Sequence, residues 1–242
     1  MKKVAIITGA STGIGRETAI AFADAGYKTY LLARSADKLQ SVKQEAEDLG
    51  GEAVSVVVDL ASRAALKAAI EKILAAEARI DAIVNVAGIW HGAEGVYAGI
   101  DFDKFSPEVI ADTYAVGLIA PSMLINGLLP KMGKGSSIIN ISGTFADGGK
   151  GWLPYYVSKR ALEDLTVGLA QDVAERGIRV NCISPSDTAT ESYAKYFPQY
   201  MDSAQEPSEV ARFAVELCDS SSASGKVFVI KKDMEPAEGF HA

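Results

Sequence analysis

Three observations predict an α/β fold: a doubly wound parallel sheet of about seven strands with helices on both faces. Short runs rich in β-branched and apolar residues recur at KVAIITG, KTYLLA, AVSVVV, DAIVNVAG, SSIINISG, IRVNCISP and KVFVIK, each bounded by turn residues. Those runs are apolar throughout rather than alternating, as expected of strands buried on both faces. Helical periods separate them, at Ile14 to Ala25, Ala36 to Leu49, Arg63 to Ala76, Pro107 to Lys131, Tyr155 to Glu175 and Pro207 to Cys218, with Gly26, Gly50 and Gly177 at helix ends. The alternation specifies helical crossovers between parallel strands. No repeat, low-complexity tract or Pro/Ser-rich linker interrupts it, so residues 1–242 are expected to form one domain.

Bulk properties narrow the function. The 242 residues are 48% hydrophobic and 23% charged, ordinary for a globular chain. A formal charge of -7 and a pI near 5.0 leave no surplus of cations to neutralise a phosphate backbone, so no nucleic-acid partner is expected. Cys182 and Cys218 lack metal-ligand spacing, so reduced core thiols and no metal are expected. The N-terminal MKKVAIITGAS runs into a glycine and a helix signal instead of a cleavage site, and no run approaches bilayer-spanning length. A cytoplasmic protein without membrane contact is the expectation.

In an open sheet of this kind ligands bind beyond the carboxyl ends of the strands, and the chemically informative residues fall there. After the first strand comes TGASTGIG, with Gly9, Gly13 and Gly15 for a tight turn and close backbone approach, and Ser11, Thr12 and Ile14 between them. Free N–H groups at the following helix start suit a pyrophosphate. The second strand ends in LLARS. Ala33 offers no acid to accept from a ribose 2′-hydroxyl, whereas Arg34 beside Ser35 offers a cation for a 2′-phosphate, which favours NADP(H) over NAD(H). The third strand ends in VDL, where Asp59, followed by Leu60, is placed to accept from an adenine amino group. The fourth ends in NVAG, where Asn85 precedes Ala87 and Gly88, two small residues that let the chain approach a ribose.

The stretch PYYVSKRAL opens the helix after the fifth strand. Residues four apart share a helix face, which pairs Tyr155 with Lys159; Tyr156, three before the lysine, lies on its other flank.

Taken together, TGASTGIG, VDL, NVAG, IINIS, YYVSK and VNCISPSDTAT resemble the short-chain dehydrogenase/reductase family in order and approximate spacing, over nearly the whole chain. The resemblance implies a Rossmann-type fold, with Tyr155 as acid/base, Lys159 as its partner and as a ligand of the nicotinamide ribose, and Tyr156 as packing. It implies reversible interconversion of a small carbonyl and alcohol, and a homodimer or homotetramer paired through the helices from Pro107 and Tyr155. In SPSDTAT, Pro185, Thr188 and Thr190 match the nicotinamide-contacting segment, with Ser186 where glycine is usual. A nearby ammonium is expected to favour the ionised phenol. The segment ESYAKYFPQYM is expected to form a lid over the substrate.

Two departures qualify the resemblance. The family's active serine falls on Gly143 counting from the strand and on Ser142 counting back from Tyr155, with Thr144 a third candidate; Ser142 is the assignment made. Gly117 stands where the family places an asparagine, and is expected to loosen its helix and weaken a proton relay, unless it makes room for an aromatic side chain or a substrate. The alternative function is therefore a nucleotide-binding protein with weak or no turnover, acting as a sensor or interaction module.

Overall fold

Apolar residues at alternate positions of the first strand leave on opposite faces, and this decides the layering. In β1 (Val4–Thr8), Val4 and Ile6 enter one core while Ala5 and Ile7 enter another. The computed structural model describes residues 2–93, 95–145 and 147–241. The elements that follow are α1 (Gly13–Asp24), β2 (Lys28–Ala33), α2 (Ala36–Asp48), β3 (Glu52–Val57), α3 (Arg63–Ala76) and β4 (Ala82–Asn85). Then come α4 (Pro107–Tyr114), α5 (Ala120–Leu128), β5 (Ser137–Ile141), α6 (Leu153–Asp172), β6 (Arg179–Pro185), α7 (Glu191–Tyr196), α8 (Pro207–Asp219), β7 (Lys226–Ile230) and β8 (Ala237–Glu238).

The strand order is β3-β2-β1-β4-β5-β6-β7-β8. Pairings from β3 through to β7 are parallel, whereas β8 runs antiparallel to β7 with Phe228 opposite Glu238. The seven strands read from the sequence are all present among the described residues, joined by an eighth, β8, two residues long and too short for a periodicity signal. Strand order reverses between β1 and β4, so the loops after these two strands diverge and open a crevice.

One core packs α3, α5 and α6 against the sheet through Leu66, Ile73, Leu124, Leu128 and Ala170. The opposite core packs α1, α2 and α8 through Phe22, Leu39, Val42, Val210 and Leu217. Burying each such large side chain is worth roughly 1.5–3 kcal/mol. The two thiols are free and buried, and burial raises both to about 12, so they are inert core residues.

The helix expected from Pro107 to Lys131 is continuous but not uniform. Ser106 caps α4 by accepting from the Val109 N–H, and residues Ala115–Ile119 then widen into a π-helical turn in which the Ala120 N–H donates to the Ala115 carbonyl. By length and composition this 25-residue run meets the measure of a membrane-crossing helix, which corrects the expectation that no run approaches that length. Here Val116, Leu124, Ile125 and Leu128 lie in the core against the sheet.

Candidate active site

The crevice is closed at its base by contacts between strand ends. Thr8 at the end of β1 accepts through Oγ1 from the backbone N–H groups of Val86 and Ala87, at 3.0 and 3.3 Å, tying the first turn to the loop after β4. Gly15 is so close to that turn that a Cβ would lie 2.1 Å from the Gly9 carbonyl oxygen, and no other residue fits. Gly13 has φ +52° and a Cβ there would meet Thr190 Cγ2 at 2.9 Å, so the glycine-rich turn abuts the segment after β6. Gly9, Ser11, Thr12 and Ile14 line this turn, partly exposed.

Helix starts show where an anion fits. Ser62, Ser106 and Thr190 cap α3, α4 and α7 with their own side chains, but Thr12 before α1 and Ser35 before α2 make no such bond. Both lie at the carboxyl ends of β1 and β2, and α1 and α2 therefore present unsatisfied N–H groups to the crevice. Arg34 is exposed beside Ser35. Asp59 is exposed and its Oδ1 accepts from the Ala61 N–H at 3.0 Å, while Leu60 is buried beneath it. These residues fit a dinucleotide's phosphates.

Other expected cofactor contacts lie deeper. Asn85 is 1% exposed and its amide nitrogen donates to Asn140 Oδ1 at 2.9 Å, while Asn140 Nδ2 donates to Thr166 Oγ1. Its side chain cross-links strands instead of facing the crevice. Thr188 is buried and donates to the Ser186 carbonyl, and Pro185 is buried at the end of β6. The segment is held by Gln205, whose amide nitrogen reaches the Ile230 carbonyl at 3.0 Å and the Ser186 hydroxyl at 3.3 Å, while Ala189 N–H donates to its carbonyl. Gln205 lies fifteen residues past Thr190, the last residue of the motif, and no local pattern marks it.

Tyr155 and Lys159 share one face of α6, as their spacing requires. Lys159 is 2% exposed and its Nζ donates to the Ile141 carbonyl at 2.7 Å. That Nζ lies 5.4 Å from the Tyr155 ring centroid. Burial lowers Lys159 to about 8 and pushes the Tyr155 phenol above its ordinary value. The expectation of a phenol lowered by the ammonium is thus corrected, because desolvation outweighs a charge placed over the ring. Gly88, with Ala87 beside it, keeps this corner open: a Cβ at Gly88 would lie 3.1 Å from Lys159 Nζ and 3.4 Å from Tyr155 Cε2. Tyr156 faces elsewhere, against Phe145 at 5.1 Å and under the Arg160 guanidinium.

Ser142 is buried, and its hydroxyl donates to Glu163 Oε1 at 2.8 Å. That hydroxyl is thereby engaged inside the fold. Gly143 and Thr144, both partly exposed, follow it toward solvent, with the Thr144 N–H donating to the Pro185 carbonyl. Glu163 is fully buried and also accepts from Arg160 and, at 2.7 Å, from the backbone N–H of His241. Sequence reasoning passed over Glu163, although it continues the four-residue spacing of Tyr155 and Lys159.

Comparison with known proteins places this geometry in context. A family model described as short chain dehydrogenase matches residues 3–201. An uncharacterized oxidoreductase of Thermotoga maritima is 35% identical over 196 residues, spanning 78% of this chain and 73% of that protein. A 1,6-dihydroxycyclohexa-2,4-diene-1-carboxylate dehydrogenase of Acinetobacter baylyi is 34% identical over 190 residues, spanning 77% and 69%. The crystal structure of a short chain dehydrogenase from Burkholderia cenocepacia in complex with NADP superposes with a TM-score of 0.85 at 27% identity, over 95% of this chain and 96% of that one.

Proposed function

The chain belongs to the short-chain dehydrogenase family, and from that premise we propose that it interconverts a small carbonyl and its alcohol with NADP(H), by hydride transfer. The observation that carries the reading is the corner beside exposed Gly88 where the partly exposed Tyr155 meets the buried Lys159. When bound, the nicotinamide would exchange the hydride. Every other part of the work falls to the chain. Tyr155, its proton held firmly by burial, donates to the carbonyl oxygen in the reducing direction. Lys159, anchored on the Ile141 carbonyl, keeps further donors for a ribose and fixes the phenol's neighbourhood. Backbone N–H groups at the starts of α1 and α2 receive the phosphates.

The solved relative that holds NADP supports a nicotinamide cofactor, and exposed Arg34 with uncapped Ser35 supports the 2′-phosphate form. The partly covered apolar run from Pro107 and the outer face of α6, where Val157 is exposed, support pairing of subunits through these helices, as a homodimer or homotetramer. A cytoplasmic location fits the acidic, reduced chain.

A second reading has its own observation. The Ser142 hydroxyl faces Glu163 and glycine occupies position 143, so a nucleotide-binding protein of weak turnover would keep the same crevice. The test is a panel of carbonyls and alcohols with both cofactors, followed at the nicotinamide absorbance, beside calorimetric titration of the cofactors. Turnover that is lost in Tyr155→Phe establishes the enzyme; cofactor binding without turnover across the panel establishes the second reading.

A further inference from the structure

The chain contains two tryptophans, Trp90 and Trp152, and one lid residue touches both. Phe197, at the end of α7, lies 6.2 Å from Trp90 and 5.9 Å from Trp152, centroid to centroid, with its ring inclined at only 31° and 35° to theirs. Trp152 immediately precedes α6 and stands 6.3 Å from the Tyr155 ring. Tyr193 and Tyr200 flank Phe197 at 5.2 and 6.4 Å. An unbroken line of flat rings thus runs from the proton donor through Trp152 and Phe197 to the loop after β4. Trp90, Trp152 and Phe197 are each partly exposed.

Three polar tips around these rings are engaged within the protein, those of Tyr193, Tyr196 and His91. The Tyr193 hydroxyl is bonded to Asp187, and burial together with that bond holds it above its ordinary pKa. Tyr196 donates through its hydroxyl to the Gly92 carbonyl at 3.5 Å, and His91 Nδ1 lies 3.0 Å from the same oxygen. A substrate carrying several hydroxyls would lose water there and gain no partner from these three groups. A flat apolar ring loses little water and stacks on the exposed faces.

We infer that Trp152 and Phe197 form a stacking slot for the ring of an aryl or fused-ring ketone, whose carbonyl then reaches Tyr155, and that these two residues set substrate class. The inference rests on the oxidoreductase reading for its carbonyl and on the ring geometry for its ring. Lid residues of this kind contribute through flat contact, so replacing Phe197 by leucine keeps bulk and removes the face.

The experiment has two arms on the full chain. In the first, NADPH oxidation is followed with 1-tetralone and with dihydroxyacetone, in wild type and in Phe197→Leu and Trp152→Leu. Wild type should favour tetralone in kcat/KM, and Phe197→Leu should lower the tetralone-to-dihydroxyacetone ratio by about tenfold. Preference for dihydroxyacetone in wild type, or an unchanged ratio in a folded Phe197→Leu, overturns the slot. In the second arm, tryptophan emission of the NADP⁺ complex is titrated with 1-indanol and with glycerol. Because both tryptophans touch Phe197, indanol should give a saturable change that weakens about tenfold in Phe197→Leu, and glycerol none. A flat response to indanol overturns the slot even where turnover is intact. A saturable response without turnover of either ketone sustains the slot and removes the oxidoreductase reading.

Discussion

Gly117, in the π-helical turn, stands so close to Ser158 on α6 that a Cβ at position 117 would lie 2.8 Å from both Cβ and Oγ of the serine. Ser158 lies between Tyr155 and Lys159 and donates its hydroxyl back to the Tyr155 carbonyl at 2.7 Å. The glycine therefore makes room for Ser158 on the helix that carries Tyr155 and Lys159, rather than for an aromatic side chain or a substrate. Gly117→Asn and Gly117→Ala should each lose about 1–3 kcal/mol of stability and shift Tyr155 enough to lower turnover. Adding Ser158→Gly should recover part of both in Gly117→Ala. Melting temperature and kcat of the two single variants and the Gly117→Ala/Ser158→Gly pair check this, and a silent Gly117→Ala refutes it.

Tyr155→Phe removes a proton and leaves a ring of the same shape against Trp152 and Phe145. Turnover should fall by about 10²–10⁴-fold with cofactor affinity nearly unchanged. Tyr156→Phe keeps its packing on Phe145 and Arg160 and should stay near wild type. Single-turnover kinetics and cofactor titration on both variants provide the comparison; loss of activity in the second alone would transfer the role to Tyr156.

Cofactor choice should follow the end of β2. Arg34→Ser removes a charge-assisted contact to a 2′-phosphate and should weaken NADPH by about 10–10²-fold while leaving NADH little changed. Ala33→Asp in the same chain should invert the preference, since the acid repels phosphate and accepts from a hydroxyl. Dissociation constants for both cofactors measure it, and tighter NADH binding by wild type would overturn the assignment.

The strand count, the layer order and the Tyr155–Lys159 pair were legible because they are periodic or local: alternating runs, glycine ends, a spacing of four. What was hidden depends on contacts far apart in sequence. Glu163 receives the His241 N–H across 78 residues, Gln205 clamps the turn after β6, and the rings of Trp90, Trp152 and Phe197 meet only when three loops converge. Asn85 was expected as a cofactor contact from its motif; its amide nitrogen bonds Asn140 across the strands, a contact no local pattern announces, while its Oδ1 is buried without a hydrogen-bond partner. The π-helical turn has no compositional mark except the glycine that permits it.

The hydroxyl that serves the substrate can be separated from the one that serves the fold. Ser142→Ala leaves the buried Glu163 short of a donor and should cost about 1–3 kcal/mol of stability with a modest change in kcat. Thr144→Val, at the partly exposed position, should lower kcat by about 10²-fold with little change in melting temperature if its hydroxyl polarises the carbonyl. Thermal melts and kcat for each variant decide; a Ser142→Ala variant that melts like wild type yet has lost activity would restore Ser142 as the active hydroxyl.

Lys159 gives the sharpest dependence on pH, because burial alone moves it down from 10.5 to about 8. Below about pH 8 the folded chain holds a desolvated ammonium that the unfolded chain holds in water, a cost on the order of 1–3 kcal/mol. Between about pH 8 and 10.5 the unfolded lysine is still charged while the folded one is neutral. The unfolded state then binds more protons, so this group's contribution to stability rises with pH across that window. Lys159→Met removes the charge, keeps most of the volume, and strands only the Ile141 carbonyl as an acceptor. The variant should therefore be inactive yet melt no lower than wild type at pH 7, and wild type should gain on it as pH rises from 8 toward 10. Over the same range reduction by wild type should decline as the ammonium is lost, whereas oxidation, which needs the Tyr155 proton removed, should climb. Melting curves of the pair at stepped pH, with initial rates in both directions, test the two trends together. A wild type that gains no stability relative to Lys159→Met between pH 8 and 10 would place the lysine's charge in a well-solvated setting and refute the burial on which its role depends.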